Sequence, residues 1–406
     1  MRCGTAETDI TPEPGGDLAG FVARTQPSLG IHDRLAARAL FLEGDGRRVL
    51  WLHADVIAFE REDVQTVKKR LFDRFGLHGH EVVISATHTH SGPTTARLLE
   101  CGEYDASFVA GLVETLLSLS GEALRNAKPV SPVFAEGSCE VGSDRRGQPG
   151  AHADHRVPVL GFRRPDGSYA AVLAAYAVHC VAMGPENRLV SADILGHAAR
   201  VLKQQMPGNP VVLFVNGAAG NINPPGVQDD FAVMEGWGGQ VAAAALEALG
   251  RAKAVPDTIG TGRLATMLCA PGHLSDAEAR ATVAGSLGGN ERFLKAQSRW
   301  FALLAGDDPR LEAPVDVQVV EIGGVRFVCF GAEVFSRMGE GLGDRAYPVG
   351  YANGDGGYLC PEYAYSEGGY EPEVACLFYG TNPIRRGAFE SLRGLAKELI
   401  QTGGAV

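Results

Sequence analysis

The feature that most constrains the fold is an alternation of short, nearly continuous apolar runs with amphipathic stretches. Residues 169–178 and 210–216 are almost wholly apolar, which is typical of strands buried on both faces. Residues 193–205, between them, have helical periodicity. The alternation predicts an α/β fold, a layered single domain over residues 1–406 with mixed β-sheets flanked by helices. The predicted strands are residues 48–56, 81–86, 169–178, 210–216, 315–322 and 326–330. The predicted helices are residues 63–75, 108–123, 193–205, 234–249 and 383–401. A further helical region is predicted from a capping box at residues 275–278 towards residue 304.

Composition narrows the classes of partner. The chain has 406 residues, of which 45% are hydrophobic and 21% charged, as in ordinary globular proteins. The formal net charge is −11, and no basic block occurs, so neither nucleic acid nor an anionic membrane surface is an expected partner. No stretch approaches 18 uninterrupted apolar residues, so no transmembrane segment is expected. The oligomeric state has no signature in the sequence.

The first residues and the cysteines bear on location. Residues 1–9 contain no apolar segment of the kind that signal peptides carry, so a cytoplasmic location is expected. The eight cysteines are scattered and form no CxxC pair, which predicts free, buried thiols rather than a disulfide framework.

Two histidines follow the predicted strand at residues 81–86. In an extended chain, residues two apart point to the same side, so His88 and His90 are expected to leave the strand end together. Gly92 and Pro93 then turn the chain away. A pair of imidazoles can hold a metal, or bind one and shuttle a proton with the other.

Polar groups occur at other strand ends too. His179 follows an apolar run, and Glu333 follows a strand and a glycine. A hydrogen-bonded core histidine and an exposed loop glutamate are the plain alternatives. Residues 350–358, rich in glycine and tyrosine, predict either a pocket rim or ordinary turns. Two histidines and a carboxylate form the ligand set of many catalytic zinc sites. No GxSxG elbow, Walker A or GxGxxG motif occurs, which argues against a serine hydrolase and against nucleotide use.

Several ordered blocks resemble the catalytic N-terminal domain of the neutral/alkaline, non-lysosomal ceramidase family. The most specific is residues 85–93, Ser-Ala-Thr-His-Thr-His-Ser-Gly-Pro. The other similar blocks, in the same order as in the family, are residues 9–12 with 20–21, 30–39, 178–179 with 187–193, 331–335, and the spacing from Tyr358 to Tyr370 and Glu371.

The resemblance implies a set of site residues. It implies a fold like that of the family's catalytic domain and a zinc ion held by four side chains. His90 would be the general base and acid. The implied zinc ligands are His88, His179, Glu333 and Tyr358.

The resemblance also implies an oxyanion site, in which Tyr370 and Arg145 hold the substrate carbonyl. Arg146 competes with Arg145 for that role. One departure stands out: where the family has Gly-Asp-x-Ser-Pro-Asn, this chain has Gly-Asn-Ile-Asn-Pro at residues 220–224, so Asn223 occupies the serine position.

The predicted function is zinc-dependent hydrolysis of a carboxamide by metal-activated water. Family ceramidases are exported and carry a further C-terminal β-sandwich domain, for which 406 residues leave no room. A small soluble amide is therefore expected as substrate in place of ceramide. An ester or a lactone would suit the same chemistry, and another divalent metal would suit the same ligands. Asn223 motivates a different alternative, a metal-binding relative without catalytic activity.

Overall fold

The computed structural model describes residues 1–147, 151–269, 291–305 and 313–402. The predicted capping box at residues 275–278 and most of the predicted region around it lie outside these ranges. The helices are α1 (Arg61–Phe75), α2 (Ala106–Arg125), α3 (Asp193–Gln205), α4 (Phe231–Gly250), α5 (Glu291–Leu304), α6 (Glu362–Glu367), α7 (Ala375–Tyr379) and α8 (Ala388–Gln401). The strands are β1 (Arg2–Asp9), β2 (Gly30–Ile31), β3 (Ala36–Gly44), β4 (Arg47–Ala54), β5 (Val82–Ala86), β6 (Lys128–Pro129), β7 (Ser131–Ser138), β8 (Ser143–Asp144), β9 (Arg156–Arg163), β10 (Tyr169–Tyr176), β11 (Leu189–Val190), β12 (Val211–Asn216), β13 (Ile222–Asn223), β14 (Lys253–Ala254), β15 (Ile259–Cys269), β16 (Ala313–Ile322), β17 (Val325–Phe330), β18 (Glu333–Val334), β19 (Ala346–Val349) and β20 (Tyr358–Leu359).

Three mixed sheets form the framework. Their strand orders are β5-β4-β3-β1-β6, β12-β10-β9-β7-β14 and β15-β16-β17-β19. In each sheet one edge pair is parallel and the neighbouring pairs are antiparallel. The protein is therefore a mixed α/β structure, as predicted from the alternation of apolar and amphipathic segments.

The central strands of the first two sheets are buried on both faces, each face against a different layer. In β4, Val49 and Trp51 join a core shared by all three sheets, whereas Leu50 and Leu52 join the core beneath α1 and α2. The second sheet is divided in the same way between the shared core and a core under α3 and α4. Burial on both faces explains why these strands are apolar without a break.

Most of the predicted elements are present, and one boundary is wrong. The predicted hairpin at residues 315–330 is formed by β16 and β17. The C-terminal helix was predicted from residue 383 but begins at Ala388. Gly387 precedes it with a φ of 85°, a left-handed conformation that a helix cannot continue. The two-residue strands were not predicted, because two residues carry no periodicity. The longer strands β1, β3, β7, β9, β15 and β19 were also missed.

Helix α2 is long and apolar enough to cross a membrane by length and composition, but half of that window is buried within the protein. Core helices of water-soluble proteins pass the same test, so one such helix is weak support for a membrane span. All eight cysteines lie in the described part of the chain, each buried with a free thiol, as predicted.

Candidate metal centre

Two pairs of short backbone segments bring the predicted site residues together. Thr89 pairs with Cys180 in a parallel bridge, which sets His88 and His90 beside His179. In the same manner β18 pairs with β20, and their register places the Cα atoms of Glu333 and Tyr358 opposite each other. The centre is therefore assembled from four sequence-distant segments.

The two buried histidines are held in one tautomer. The Nδ1 atom of His88 donates to the carbonyl oxygen of Ile57 at 2.8 Å, and that of His179 donates to the carbonyl oxygen of Ala219 at 2.7 Å. A neutral imidazole that donates from Nδ1 carries its lone pair on Nε2. Both side chains are almost fully buried, so these backbone bonds fix which nitrogen faces the centre.

The lone pairs converge on one point. The Oε2 atom of Glu333 lies 2.9 Å from Nε2 of His179 and 3.5 Å from Nε2 of His88. The hydroxyl of Tyr358 lies 3.2 Å from Nε2 of His179. Lone pairs this close need a proton or a cation between them. A tetrahedron with zinc bonds of 2.0–2.1 Å has edges of about 3.3 Å, so the donor set fits a divalent metal.

The pKa values follow from burial and mutual charge. Burial lowers the pKa of His88 to about 4 and lowers that of His90 further below its usual value. Burial alone would raise the pKa of Glu333, but His88 and His179 lower it below its usual range. Metal binding requires an ionised carboxylate, which the lowered pKa of Glu333 favours.

His90 lies beside the other imidazoles but is held differently. Its Nε2 atom is 3.2 Å from that of His88, and the ligating atoms of these two histidines and His179 all lie within 4.8 Å of one another. The Nδ1 atom of His90 has no hydrogen-bond partner among the described residues. Gly20 packs directly against it: a Cβ there would lie 2.1 Å from Nδ1. His90 is therefore fixed by close packing rather than by a carboxylate.

The two histidines meet for a reason other than the one predicted. Strand alternation was expected to aim both side chains the same way. Instead β5 ends at Ala86, and His88 has a φ of 64°. A positive φ at a residue other than glycine is uncommon and strained, and such residues cluster at functional sites. The amide of His88 donates to Val56, which holds this turn in place.

A buried arginine ties three loops together around His90. Arg24 donates to the carbonyl oxygens of Ala19, His90 and Gly184 at 2.8–3.2 Å. Burial lowers its pKa to about 10. A lone arginine in an unpredicted loop gives no signal in the sequence, so this support was missed.

Arg145 occupies the side of the centre next to Tyr358. It donates from Nε to Glu371 at 2.7 Å, from Nη1 to Asn223 at 3.2 Å, and from Nη2 to Tyr358 at 3.2 Å and to the Gly220 carbonyl oxygen at 2.9 Å. A guanidinium has five N–H donors, so these four bonds leave one N–H, on Nη1.

The choice between the two arginines has a structural answer. Arg146 donates to Glu367, Glu371 and the carbonyl oxygen of Gly368, and so points to the segment behind the centre. Arg145 is the one that reaches Tyr358.

Tyr370 lines the open side of the centre. Its ring is 41% exposed and stands 5.7 Å from that of Tyr358 in a T-shaped contact. A π-helical turn, Tyr370–Val374, leads into α7, which ends at Tyr379. In a regular α-helix, residues nine apart lie on opposite faces, so the π turn helps both tyrosines contact Tyr358.

Further residues at the centre were not identified from the sequence. Tyr351 and Tyr379 both donate to Glu333, and Tyr351 also stacks on His88 at 4.0 Å. Tyr351 and Asp355 fall in the glycine-rich run at residues 350–358, which the sequence marked as a possible rim. Tyr379 lies in a helix of five residues with no motif, and only the tertiary structure places it.

Comparisons with known proteins show what this chain is similar to. A family model described as neutral/alkaline non-lysosomal ceramidase, N-terminal, matches residues 1–101. Neutral ceramidase A from Dictyostelium discoideum is 27% identical over 234 residues, 51% of this chain and 32% of that protein. The aligned part of the chain thus spans about a third of that relative's length.

Solved structures share the fold. A crystal structure of neutral ceramidase from Pseudomonas aeruginosa covers 98% of this chain with a TM-score of 0.79 at 21% identity, over 74% of its own length. A structure titled "Ceramidase complexed with C2" covers 99% of this chain and 74% of its own, with a TM-score of 0.80 at 20% identity.

Fold and site together define a mixed α/β protein whose strand ends converge on a candidate metal centre. Residues 1–101 resemble the neutral/alkaline non-lysosomal ceramidase family, and curated neutral ceramidases are 25–27% identical over 51–55% of this chain. The solved structures share its fold.

Proposed function

We propose that this protein is a metal-dependent hydrolase that cleaves a carboxamide bond, with zinc as the resident ion. The main support is that three atoms which can bind a metal lie close together. Oε2 of Glu333 is 2.9 Å from Nε2 of His179 and 3.5 Å from Nε2 of His88. Both imidazoles are held in place by hydrogen bonds from Nδ1. Tyr358 supplies the fourth donor. The name ceramidase, which the relatives carry, denotes cleavage of an amide and supports the same bond as the target.

A bound divalent ion supplies Lewis acidity, which polarises a carbonyl and makes water a stronger nucleophile at neutral pH. The protein's own groups do the rest. His90 accepts a proton from the attacking water at Nε2 and returns it to the leaving amine. Its fixed position against Gly20 keeps Nε2 aimed at the centre.

Two further side chains serve the carbonyl oxygen. The hydroxyl of Tyr370 and the remaining N–H of Arg145 are donors on the open side of the centre, where charge develops as the amide carbonyl becomes tetrahedral. Fixed donors of this kind typically contribute about 10²–10³ in kcat.

The test combines metal content with turnover. Protein purified without a metal-affinity step is expected to contain about one zinc per chain by plasma mass spectrometry, and both His88→Ala and His179→Ala are expected to lose it. The purified protein is then assayed on matched amides and esters of short and long acyl chains. Amide turnover that chelator abolishes and zinc restores supports the proposal. Full zinc and full turnover in both variants would rule out the assigned site, and metal binding without any turnover would favour a non-catalytic relative.

A further inference from the structure

The two oxygens of the Glu333 carboxylate have different surroundings. Oε2 faces the imidazoles of His88 and His179 and also accepts from the hydroxyl of Tyr351 at 3.1 Å. Oε1 accepts a hydrogen bond from the hydroxyl of Tyr379. Both oxygens accept from a tyrosine, but only Oε2 faces the two imidazoles, whereas Oε1 is turned to Tyr379.

Tyr379 is itself oriented by a second carboxyl group. Its hydroxyl also lies 3.2 Å from Oδ2 of Asp355, and Oδ1 of Asp355 accepts from the amide of Gly357 at 3.1 Å. The hydroxyl of Tyr379 has one proton, which it donates to Oε1 of Glu333. Burial and the nearby Glu333 raise the pKa of Asp355 well above its usual value, which favours a protonated Asp355 that donates to the phenol oxygen.

The loop at residues 355–358 contains Asp355 and also contacts Tyr379 and Glu333. Gly357 has a φ of 87°, and a Cβ there would lie 3.3 Å from Cγ of Tyr379, so the missing side chain lets the tyrosine ring pack against the loop. The carbonyl oxygen of Gly357 accepts from the amide of Glu333 at 3.0 Å. The next residue is Tyr358. The loop therefore holds one proposed ligand and orients the group that supports another.

We propose that Tyr379, oriented by Asp355, is a positioning residue. Its hydrogen bond to Oε1 of Glu333 keeps that oxygen from the metal, so that the carboxylate binds the metal through Oε2 alone. This inference rests on the proposed function, because it takes Glu333 as a ligand. Partners of metal ligands fix ligand orientation, and their loss typically weakens metal affinity or activity by about 10–100-fold.

The first test measures zinc affinity by competition with a chelator. Tyr379→Phe removes only the hydroxyl and is expected to weaken zinc binding about 10–100-fold. Tyr365→Phe is the matched control, since its hydroxyl donates to the carbonyl oxygen of Ile384 away from the centre, and it is expected to bind zinc as the wild type does. Thermal unfolding of the metal-free proteins separates loss of affinity from loss of folding.

Two further variants test the role of orientation. Asp355→Asn keeps a donor and an acceptor beside the phenol and is expected to retain affinity, whereas Asp355→Ala is expected to resemble Tyr379→Phe. Asp355 and Tyr379 border a cavity of about 280 Å³, so water can fill the space that the alanine leaves. Equal affinity in the asparagine and alanine variants would overturn the role of Asp355.

A spectroscopic readout follows the number of ligands directly. With Co²⁺ in place of zinc, the visible d–d absorption weakens as coordination rises above four. Tyr379→Phe frees Oε1, so its absorption is expected to be weaker than that of the wild type and of Tyr365→Phe. Wild-type zinc affinity and an unchanged Co²⁺ spectrum in Tyr379→Phe would overturn the inference while leaving the metal centre intact. A wild-type protein that binds no metal, or Glu333→Gln with undiminished affinity, would instead overturn the proposed ligand set, and the inference with it.

Discussion

At the scale of single residues, a hydrogen bond at one atom of a side chain determines which of its other atoms can face the metal centre. The Nδ1 atoms of His88 and His179 each donate to a backbone carbonyl oxygen, which leaves the lone pair of Nε2 for a metal ion. Arg145 is likewise directed by its partners. One of them is Asn223, whose side-chain oxygen accepts from Nη1 at 3.2 Å.

Asn223 is predicted to support turnover through Arg145. Asn223→Ala removes a hydrogen bond to a charged group, which is worth about 1.5–3 kcal/mol, so kcat/KM should fall roughly 10–100-fold. Zinc content should not change. Asn223→Ser, which installs the family's residue, should lose less than the alanine variant. Asn126→Ala serves as the control, since that amide contacts only Glu122 on the surface at 3.5 Å. Wild-type kcat/KM in Asn223→Ala would contradict the assignment.

At the scale of elements, most helices and the most apolar strands could be predicted. The two-residue strands and the less uniformly apolar long strands β1, β3, β7, β9 and β15 were missed. β10 and β12 are apolar throughout because both faces are buried, and that pattern survives in the sequence. The two-residue pairing of β18 with β20 has no such pattern, although it sets Glu333 opposite Tyr358. The helices that cover the sheets stabilise the framework on which these short pairs depend.

Helix α1 offers a direct comparison between its two faces. Leu71 is fully buried against the first sheet, whereas the adjacent Phe72 is 51% exposed. Leu71→Ala is expected to lower the free energy of unfolding by about 2–5 kcal/mol, since it leaves a cavity in the core. Phe72→Ala should cost roughly 1 kcal/mol, because about half of its surface stays in water. Urea unfolding of both variants checks this, and equal losses would contradict the packing described for α1.

At the scale of the whole molecule, charge is buried inside the framework as well as at the metal centre. Arg38 is 3% exposed and pairs with Asp55 and Glu7. Glu7 also pairs with Lys203 of α3, which links the first sheet to that helix. Asp193, the first residue of α3, is fully buried without a cationic partner among the described residues. Burial raises its pKa to about 7, and the hydrogen bond from the amide of Ile194 offsets only part of that shift.

We predict that burial of Asp193 makes the free energy of unfolding fall as pH rises. Because its folded pKa lies above its unfolded value of 3.8, its favourable contribution is complete below about pH 4 and is lost as pH rises through about 7. A shift of about three units corresponds to a loss on the order of 4 kcal/mol. Asp193→Asn, which tolerates the residue's φ of 55°, should show a flatter dependence. Urea unfolding of the metal-free proteins between about pH 4 and pH 8 measures the difference, and a difference that does not vary with pH would contradict the prediction.

The sequence by itself determined the fold class, the main helices and the most apolar strands. Together with a family resemblance it also indicated a set of candidate site residues that the structure brings to one place: His88, His90, Arg145, His179, Glu333, Tyr358 and Tyr370. Periodicity and motifs are local, so they can be read along the chain. The tertiary structure alone decided which nitrogen of each histidine faces the centre, that Arg145 rather than Arg146 reaches Tyr358, and that Tyr379 supports Glu333. These are contacts between segments tens to hundreds of residues apart. Their geometry depends on how the three sheets pack, which no local pattern records.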